Sequence, residues 1–407
     1  MYVAQFISHF PYQDQFSDSR YASSYVCSGG EIAAYEVAVN LARRDHKVEV
    51  FTSSVDRSNS TETFDMLDIH RYGSWFRIGD TRISPELLWG PLRGTRDVDV
   101  VHVQHTTPPG GAAGLLYAKT RCKPLVVTHH GFERPDSYGS PLRKIVVYLT
   151  ANLFVDRLFS QAAAIISISP YFINESRFLS KYQHKTVNIP NGVNLEEYKT
   201  ALTKAASRKQ LGLLLDHPVI LFLGSLIPRK GGDVLLRAMR RVVDVFPTAE
   251  LVLVGRGPMM DLLKRHVSEL DLAHRVRFEG FIGDSALKAI YYKAADVYVV
   301  PSVNSMEMFP LVLLEASALG CAMVVSDLAT FRCIIDHGYN GIVTRAGDEA
   351  SLADGIVSVL QNPDLQRRLS EHARKRVQQF SWQTIAAQTE DLYQQIVQSG
   401  DADIRVG

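Results

Sequence analysis

Short apolar runs alternate with amphipathic segments along almost the whole chain. In the first half, YVAQFIS, KVEVFTS, DVVHVQH, PLVVTHH, AAIISIS and KTVNIP have the length and β-branched content of strands. Between them lie helical patterns such as GEIAAYEVAVNLARR. The second half repeats the scheme with PVILFLGS, AELVLVG, RVRFEG, DVYVVPS, AMVVSD and NGIVT, separated by helices such as GDVLLRAMRRVVDVF. Strand–helix alternation of this kind predicts parallel sheets covered on both faces. About twelve strands exceed one compact sheet, so two doubly wound α/β domains are expected. Polar residues break the pattern within Leu195–His217, which puts the join after PNGVN. Ligands of such sheets bind at the carboxyl ends of strands, at the point where strand order reverses, and a cleft between two domains is the default site.

Composition narrows the function classes. The chain has 407 residues, 46% of them hydrophobic and 21% charged, enough for large cores. With 44 basic and 43 acidic residues the net charge is +1, which argues against bulk nucleic-acid binding. Four cysteines, Cys27, Cys122, Cys321 and Cys333, have neither metal-ligand spacing nor disulfide density, as expected of a cytoplasmic protein. No run has the pattern of a signal peptide or reaches the roughly 18 apolar residues of a spanning helix.

Candidate chemistry concentrates at the strand ends. Glu307 and Glu315 stand eight positions apart in EMFPLVLLEASALG. Pro310 and Gly320 bracket a short apolar helix there. A helix start attracts phosphate, and carboxylates on either side of it can take sugar hydroxyls, a combination that suits a nucleotide-sugar. The competing reading, two solvated glutamates, is weakened because the segment is otherwise apolar and follows ADVYVVPS. Lys230 and Arg229 lie in FLGSLIPRKGG between a strand and a helix, where they can meet phosphate. Gly29 and Gly30 open a helix and let backbone approach a ligand. His130 ends VVTHHGFE beside Gly131 and reads as functional, His102 reads as a core histidine within its strand, and His105 and His129 stay undecided. GRGP, from Gly255, and EGFIG, with Phe281 and Ile282, could line a base pocket or simply turn the chain. Asp97 and Asp99 precede a strand, the wrong end for a ligand, and read as a turn; no metal cluster is expected.

The ordered set of motifs resembles retaining glycosyltransferases of GT-B architecture, specifically glycosyltransferase family four. The match runs through GG, VVTHHG, SISPYF and IPNGVN in the first half. It continues through GSLIPRKGG, LVLVGRGP, VRFEGFIG, EMFPLVLLEASALG, GYNGIVT and FSW in the second. The resemblance implies two Rossmann-like domains facing across a cleft, 1–194 for the acceptor and 195–380 for the nucleotide-sugar. Segment 381–407 would carry a last helix crossing back to the first domain. It implies that Glu307 contacts the donor sugar and Glu315 the ribose. Lys230 would hold the diphosphate, with Ser225, Gly30 and the backbone at Phe309, Pro310, Leu311 and Val312 around it. Gly255, Phe281 and Ile282 would edge the base, and His130 would sit beside the sugar. Gly29, Gly30, His105 and His130 would border the acceptor. Three positions depart from the family pattern: Ser225 replaces an arginine that would neutralise the diphosphate, Pro310 removes one N–H donor, and Asn194 replaces an aspartate in a turn.

The expected reaction moves a hexosyl group from a UDP- or GDP-sugar to a sugar, lipid-linked or small-molecule hydroxyl. It proceeds with retention and without metal or other cofactor. Eight helical residues span about 12 Å, so the glutamate pair does not match a hydrolase dyad. The alternatives are another enzyme of this architecture, such as a sugar-nucleotide epimerase, or a silent nucleotide-binding module. The stretch PLRKIVVYLTANLFVDRLF could rest on the cytosolic face of a membrane, although an ordinary packing helix is the preferred reading.

Overall fold

A computed structural model describes residues 1–12, 29–78, 81–94, 97–104, 108–131, 154–304 and 308–399. The chain forms two compact units, Met1–Asn191 with Trp382–Gly407, and Gly192–Ser381.

The first unit contains β1 (Tyr2–Phe6), α1 (Gly29–Ala42), β2 (Lys47–Ser53), β3 (Ser60–Phe64), β4 (Leu67–Tyr72), β5 (Phe76–Ile78) and β6 (Thr81–Ile83). It continues with β7 (Val100–Val103), α2 (Gly110–Arg121), β8 (Leu125–His129), α3 (Asp156–Gln161), β9 (Ala164–Ser167), α4 (Pro170–Glu175) and β10 (Thr186–Asn188). Eight strands pair in the order β10-β9-β8-β7-β1-β2-β4-β3, all parallel except the edge strand β3. Strand order reverses between β1 and β7, so the loops after these two strands flank the switch point. The six expected strands are present. The β3–β4 hairpin and the small β5–β6 ribbon are additions that the apolar-run pattern missed. LDIHRY is half-exposed and strictly alternating, so it lacks the continuous apolar run of a buried strand. Asp65 and Met66, both at positive φ, turn the chain without a glycine to announce it.

The second unit contains α5 (Lys204–Leu211), β11 (Val219–Leu223), α6 (Gly232–Val245), β12 (Glu250–Val254), α7 (Met260–Glu269) and β13 (Val276–Gly280). After these come α8 (Ser285–Ala294), β14 (Val297–Val300), α9 (Leu311–Leu319), β15 (Met323–Ser326), β16 (Ile342–Thr344), α10 (Glu349–Leu360) and α11 (Pro363–Val377). Its sheet runs β13-β12-β11-β14-β15-β16, all parallel. This is the doubly wound Rossmann order, with the reversal between β11 and β14. Helix α6 buries Val234, Leu235, Ala238, Met239 and Val242 on one face and keeps Arg237, Arg240 and Arg241 off the core.

The last helix, α12 (Trp382–Ser399), belongs to the first unit. It buries Trp382, Ile385, Ala386, Thr389, Leu392, Tyr393 and Ile396, the spacing of an amphipathic helix packed on one side. A buried polar clip ties it to the sheet: His102 Nδ1 meets the Tyr393 hydroxyl at 2.5 Å, and its Nε2 meets Thr128 Oγ1 at 2.7 Å. The core reading of His102 therefore stands. Among the described residues no helix is long and apolar enough to cross a membrane.

Burial holds the His102 pKa down to about 3. The native state thus takes up a proton far less readily than the unfolded chain, whose histidine titrates near 6.5. Its contribution to stability is complete above that value and is lost as pH falls from 6.5 toward 3. Thermal unfolding followed against pH should show stability falling below pH 6.5 by up to about 1.4 kcal/mol per unit, with a shallower slope in His102→Gln. An equal slope in the variant would place the acid sensitivity elsewhere.

Candidate functional site

The second unit assembles its candidate site from loops at the carboxyl ends of four adjacent strands. The loop after β11 holds Ser225, exposed, then a tight turn with Arg229 and Lys230, both partly buried. Gly231 follows at φ +68, and a Cβ there would stand 2.1 Å from the Pro301 carbonyl oxygen. Only glycine fits both the backbone angle and that approach. The Val303 amide donates to the Arg229 carbonyl at 2.9 Å, which staples the loop after β14 to the lysine turn. Gly255, at φ +151, abuts the Gly224 carbonyl in the same way, with 1.9 Å to a hypothetical Cβ. The Leu226 amide donates to Arg256 and the Gly255 amide to Gly280. The loops after β11, β12, β13 and β14 are therefore one bonded surface, and Lys230 lies at the strand reversal.

The edge of this surface carries Phe281, 47% exposed, with Ile282 partly buried beside it. The Arg256 guanidinium lies over the Phe281 ring, 4.7 Å from its centroid. An exposed aromatic backed by a cation is a ready platform for a flat ring. Arg256 lies within GRGP, which the sequence left open as a base-pocket wall or a turn.

Helix α9 starts directly after Pro310, which serves as its N-cap in extended conformation, one place earlier than a first-turn proline. Leu311 and Val312 are partly buried at its start, and Phe309 is buried against Phe380, ring centroids 5.9 Å apart. Gly320 closes the helix in the left-handed conformation, as its position predicts. Glu315 sits in the middle of this apolar helix with 13% of its side chain exposed. A carboxylate so placed needs partners, and it has three. The Tyr292 hydroxyl donates to Oε2 at 2.9 Å, and Lys288 Nζ lies 3.6 Å from Oε1. The Tyr198 hydroxyl accepts from Lys288 Nζ at 3.1 Å and feels the charge of the same carboxylate. Burial first, then the Glu315 charge, pushes both phenols far up, so each stays a proton donor. Tyr198, Lys288 and Tyr292 were not recoverable from the sequence. They lie on an irregular segment and one face of α8, and only folding brings them to α9.

In the first unit, Gly29 and Gly30 are the first two residues of α1, exposed and partly buried respectively. His130 directly follows β8 and lines a small cavity at the strand ends. Gln104, Thr128 and Asn191 add polar atoms to its wall, and Trp382 and Ile385 of α12 close one side. His129 is buried and stacked on Phe172, centroids 5.5 Å apart, a packing role. His105 and Glu307 lie outside the described residues. Asp97 pairs with Lys123 at 2.6 Å, and Asp99 accepts from the Tyr2 amide at 2.7 Å, so both hold the amino end of β7 as the turn reading expects. Among the described residues no cluster of His, Cys, Asp and Glu could hold a metal ion. In PLRKIVVYLTANLFVDRLF the described part packs inward: Leu158 and Phe159 are fully buried.

Two family profiles match the chain. The one described as Glycosyl transferases group 1 covers residues 203–376, and the one described as Glycosyltransferase Family 4 covers 27–197. The chain is similar to the phosphatidyl-myo-inositol mannosyltransferase of Mycobacterium leprae, 36% identical over 215 residues, 53% of this chain and 54% of that protein. That match thus spans about half the relative's length. The D-inositol 3-phosphate glycosyltransferase of Thermobispora bispora is 32% identical over 417 residues, 93% of this chain and 92% of that protein. Among solved structures, sucrose-phosphate synthase from Thermosynechococcus elongatus superposes with TM-score 0.75 and 25% identity, covering 98% of this chain and 100% of that one. An Anabaena protein solved in complex with UDP-glucose superposes with TM-score 0.72 and 20% identity, covering 97% and 100%.

The Gly231 approach fixes the lysine turn, so a methyl group there should be costly. Gly231→Ala is expected to lower stability by about 2–4 kcal/mol in urea unfolding. Gly283→Ala, whose added Cβ would meet only the Phe281 ring at 3.4 Å, should change little.

Proposed function

Since the chain belongs to glycosyltransferase family 4, we propose that it moves a hexosyl group from a UDP- or GDP-sugar to a hydroxyl acceptor with retention and without metal. The observation that carries this reading is the bonded surface of the second unit. It places a cation, a helix start, an aromatic platform and an oriented carboxylate around one strand reversal. A nucleoside diphosphate has the matching parts. Phe281 and Ile282 take the base. Glu315 takes the ribose hydroxyls, held in place by Tyr198, Lys288 and Tyr292. Lys230 and Arg229 take the diphosphate, with the amides of Leu311 and Val312 and the positive end of α9 behind them. Ser225 supplies no charge, so Lys230 and Arg229 carry the neutralisation. Glu307 is assigned to the donor sugar, and His130 to a sugar hydroxyl beside the acceptor.

The chemistry is then mainly stabilisation of the leaving diphosphate. The bond from the anomeric carbon to the diphosphate oxygen breaks, and a bond from that carbon to the acceptor oxygen forms on the same face. The acceptor proton passes to the departing phosphate. The relatives' names favour an inositol-type polyol as acceptor, free or lipid-borne, near Gly29, Gly30, His105 and His130. The Anabaena complex supports a UDP-sugar. Free thiols at Cys122, Cys321 and Cys333 suit a cytoplasmic setting.

Nucleoside diphosphate release should be assayed across UDP- and GDP-hexoses with inositol-type acceptors, and the product linkage read by proton NMR. Lys230→Ala should lower kcat by about 10²–10³. Tyr198→Phe, which keeps the ring, should weaken discrimination between ribo- and 2′-deoxyribonucleotides by up to about tenfold. An inverted product, or full activity in Lys230→Ala, would contradict the reading.

A further inference from the structure

The β5–β6 ribbon has no place in the transfer reaction, yet it is the most conspicuous apolar feature of the surface. Trp75, Phe76 and Ile78 are 63%, 54% and 47% exposed within four consecutive residues. The ribbon forms a two-stranded sheet of its own rather than an edge of the eight-stranded sheet. Its register pairs Phe76 with Ile83, Arg77 with Arg82, and Ile78 with Thr81. Side chains alternate across a strand, so the two faces differ. One carries Phe76, Ile78 and Ile83. The other carries Trp75 and two directly opposed arginines.

That second face is costly on its own terms, because like charges directly opposite each other in a hairpin repel. It becomes favourable beside an anion. The first face is costly in water and becomes favourable in an apolar layer. A lipid surface offers both at adjoining depths: an acyl boundary for Phe76, Ile78 and Ile83, and phosphates for the exposed Arg77. Trp75 stands where tryptophan is enriched, at the level between them.

The mount is rigid. The Trp75 amide donates to the Ile83 carbonyl at 3.0 Å, and the Arg82 amide to His9 Nε2 at 3.0 Å. Arg82 Nη1 donates to the Val55 carbonyl at 2.5 Å, and Ser74 Oγ to the Ser54 carbonyl at 2.6 Å. Ser8, His9, Ser54 and Val55 follow β1 and β2, so the ribbon is anchored at the carboxyl ends of the strands. This is the end at which His130 and Gly30 lie.

We propose that the β5–β6 ribbon is a membrane-docking finger for anionic bilayers. The apolar face is small, so binding relies also on the charge of Arg77 and falls as salt rises. Docking is independent of the transfer reaction and is measured with no donor present.

The full chain should float with phosphatidylcholine vesicles containing phosphatidylglycerol and not with pure phosphatidylcholine. In a Trp89→Phe background, where the remaining Trp382 is buried and out of reach of lipid, the Trp75 contribution to the emission should shift to the blue and be quenched by brominated lipid. A Phe76→Ser/Ile78→Ser variant, and separately Arg77→Glu, should lose about tenfold in vesicle affinity at unchanged Tm. Equal flotation of these variants at unchanged Tm would overturn the proposal, as would absence of wild-type binding. So would a wild-type dimer that the Phe76→Ser/Ile78→Ser change converts to monomer, since the face would then belong to a second copy.

Discussion

The backbone contact between Gly231 and Pro301 is the constraint on which the second unit's site depends. Two parallel strands adjacent in the sheet but distant in sequence end side by side. Their following loops must share the space beyond them, and here they touch backbone to backbone. A side chain at Gly231 would force them apart. The contact fixes the lysine turn against the segment leading to α9, so a cation and a helix start are held at one strand reversal before any ligand arrives. Pre-organisation of this kind removes an ordering cost from binding and from the reaction.

Glu315 illustrates the same logic from the opposite direction. An apolar helix packs well but has no use for a carboxylate, and a nearly buried one is unfavourable unless bonded. Two tyrosines and a lysine from other elements satisfy it while leaving part of it accessible. In the first unit, His102 joins the sheet to α12 by hydrogen bonds to two hydroxyls, and burial keeps its imidazole neutral. Both units thus contain a polar cluster whose members come from distant parts of the chain.

Much of this was legible in the sequence, and for a common reason. Strands buried on both faces are apolar runs, so the central strands β11, β12, β14 and β15 of the second unit stood out, and their alternation with helices implied the sheet class. Gly320 announced the end of α9, and the lysine between glycines after β11 marked the turn at the strand reversal. What the sequence did not reveal depends on long-range pairing. LDIHRY lacks an apolar run because one face is half-exposed. Lys288 and Tyr198 acquire meaning only beside Glu315, and Arg256 only beneath Phe281. The arginines of the β5–β6 ribbon become a pair only through its register.

The central claim is that the loops at the strand reversal of the second unit hold a nucleoside diphosphate. Amide hydrogen exchange of the full chain, with and without saturating UDP or GDP, tests it most directly. The account requires slowed exchange in Gly224–Gly231, at Phe281 and Ile282, and in Leu311–Glu315 at the start of α9. Bound nucleotide with these segments unchanged, and protection confined to the start of α1 or elsewhere in the first unit, would contradict it.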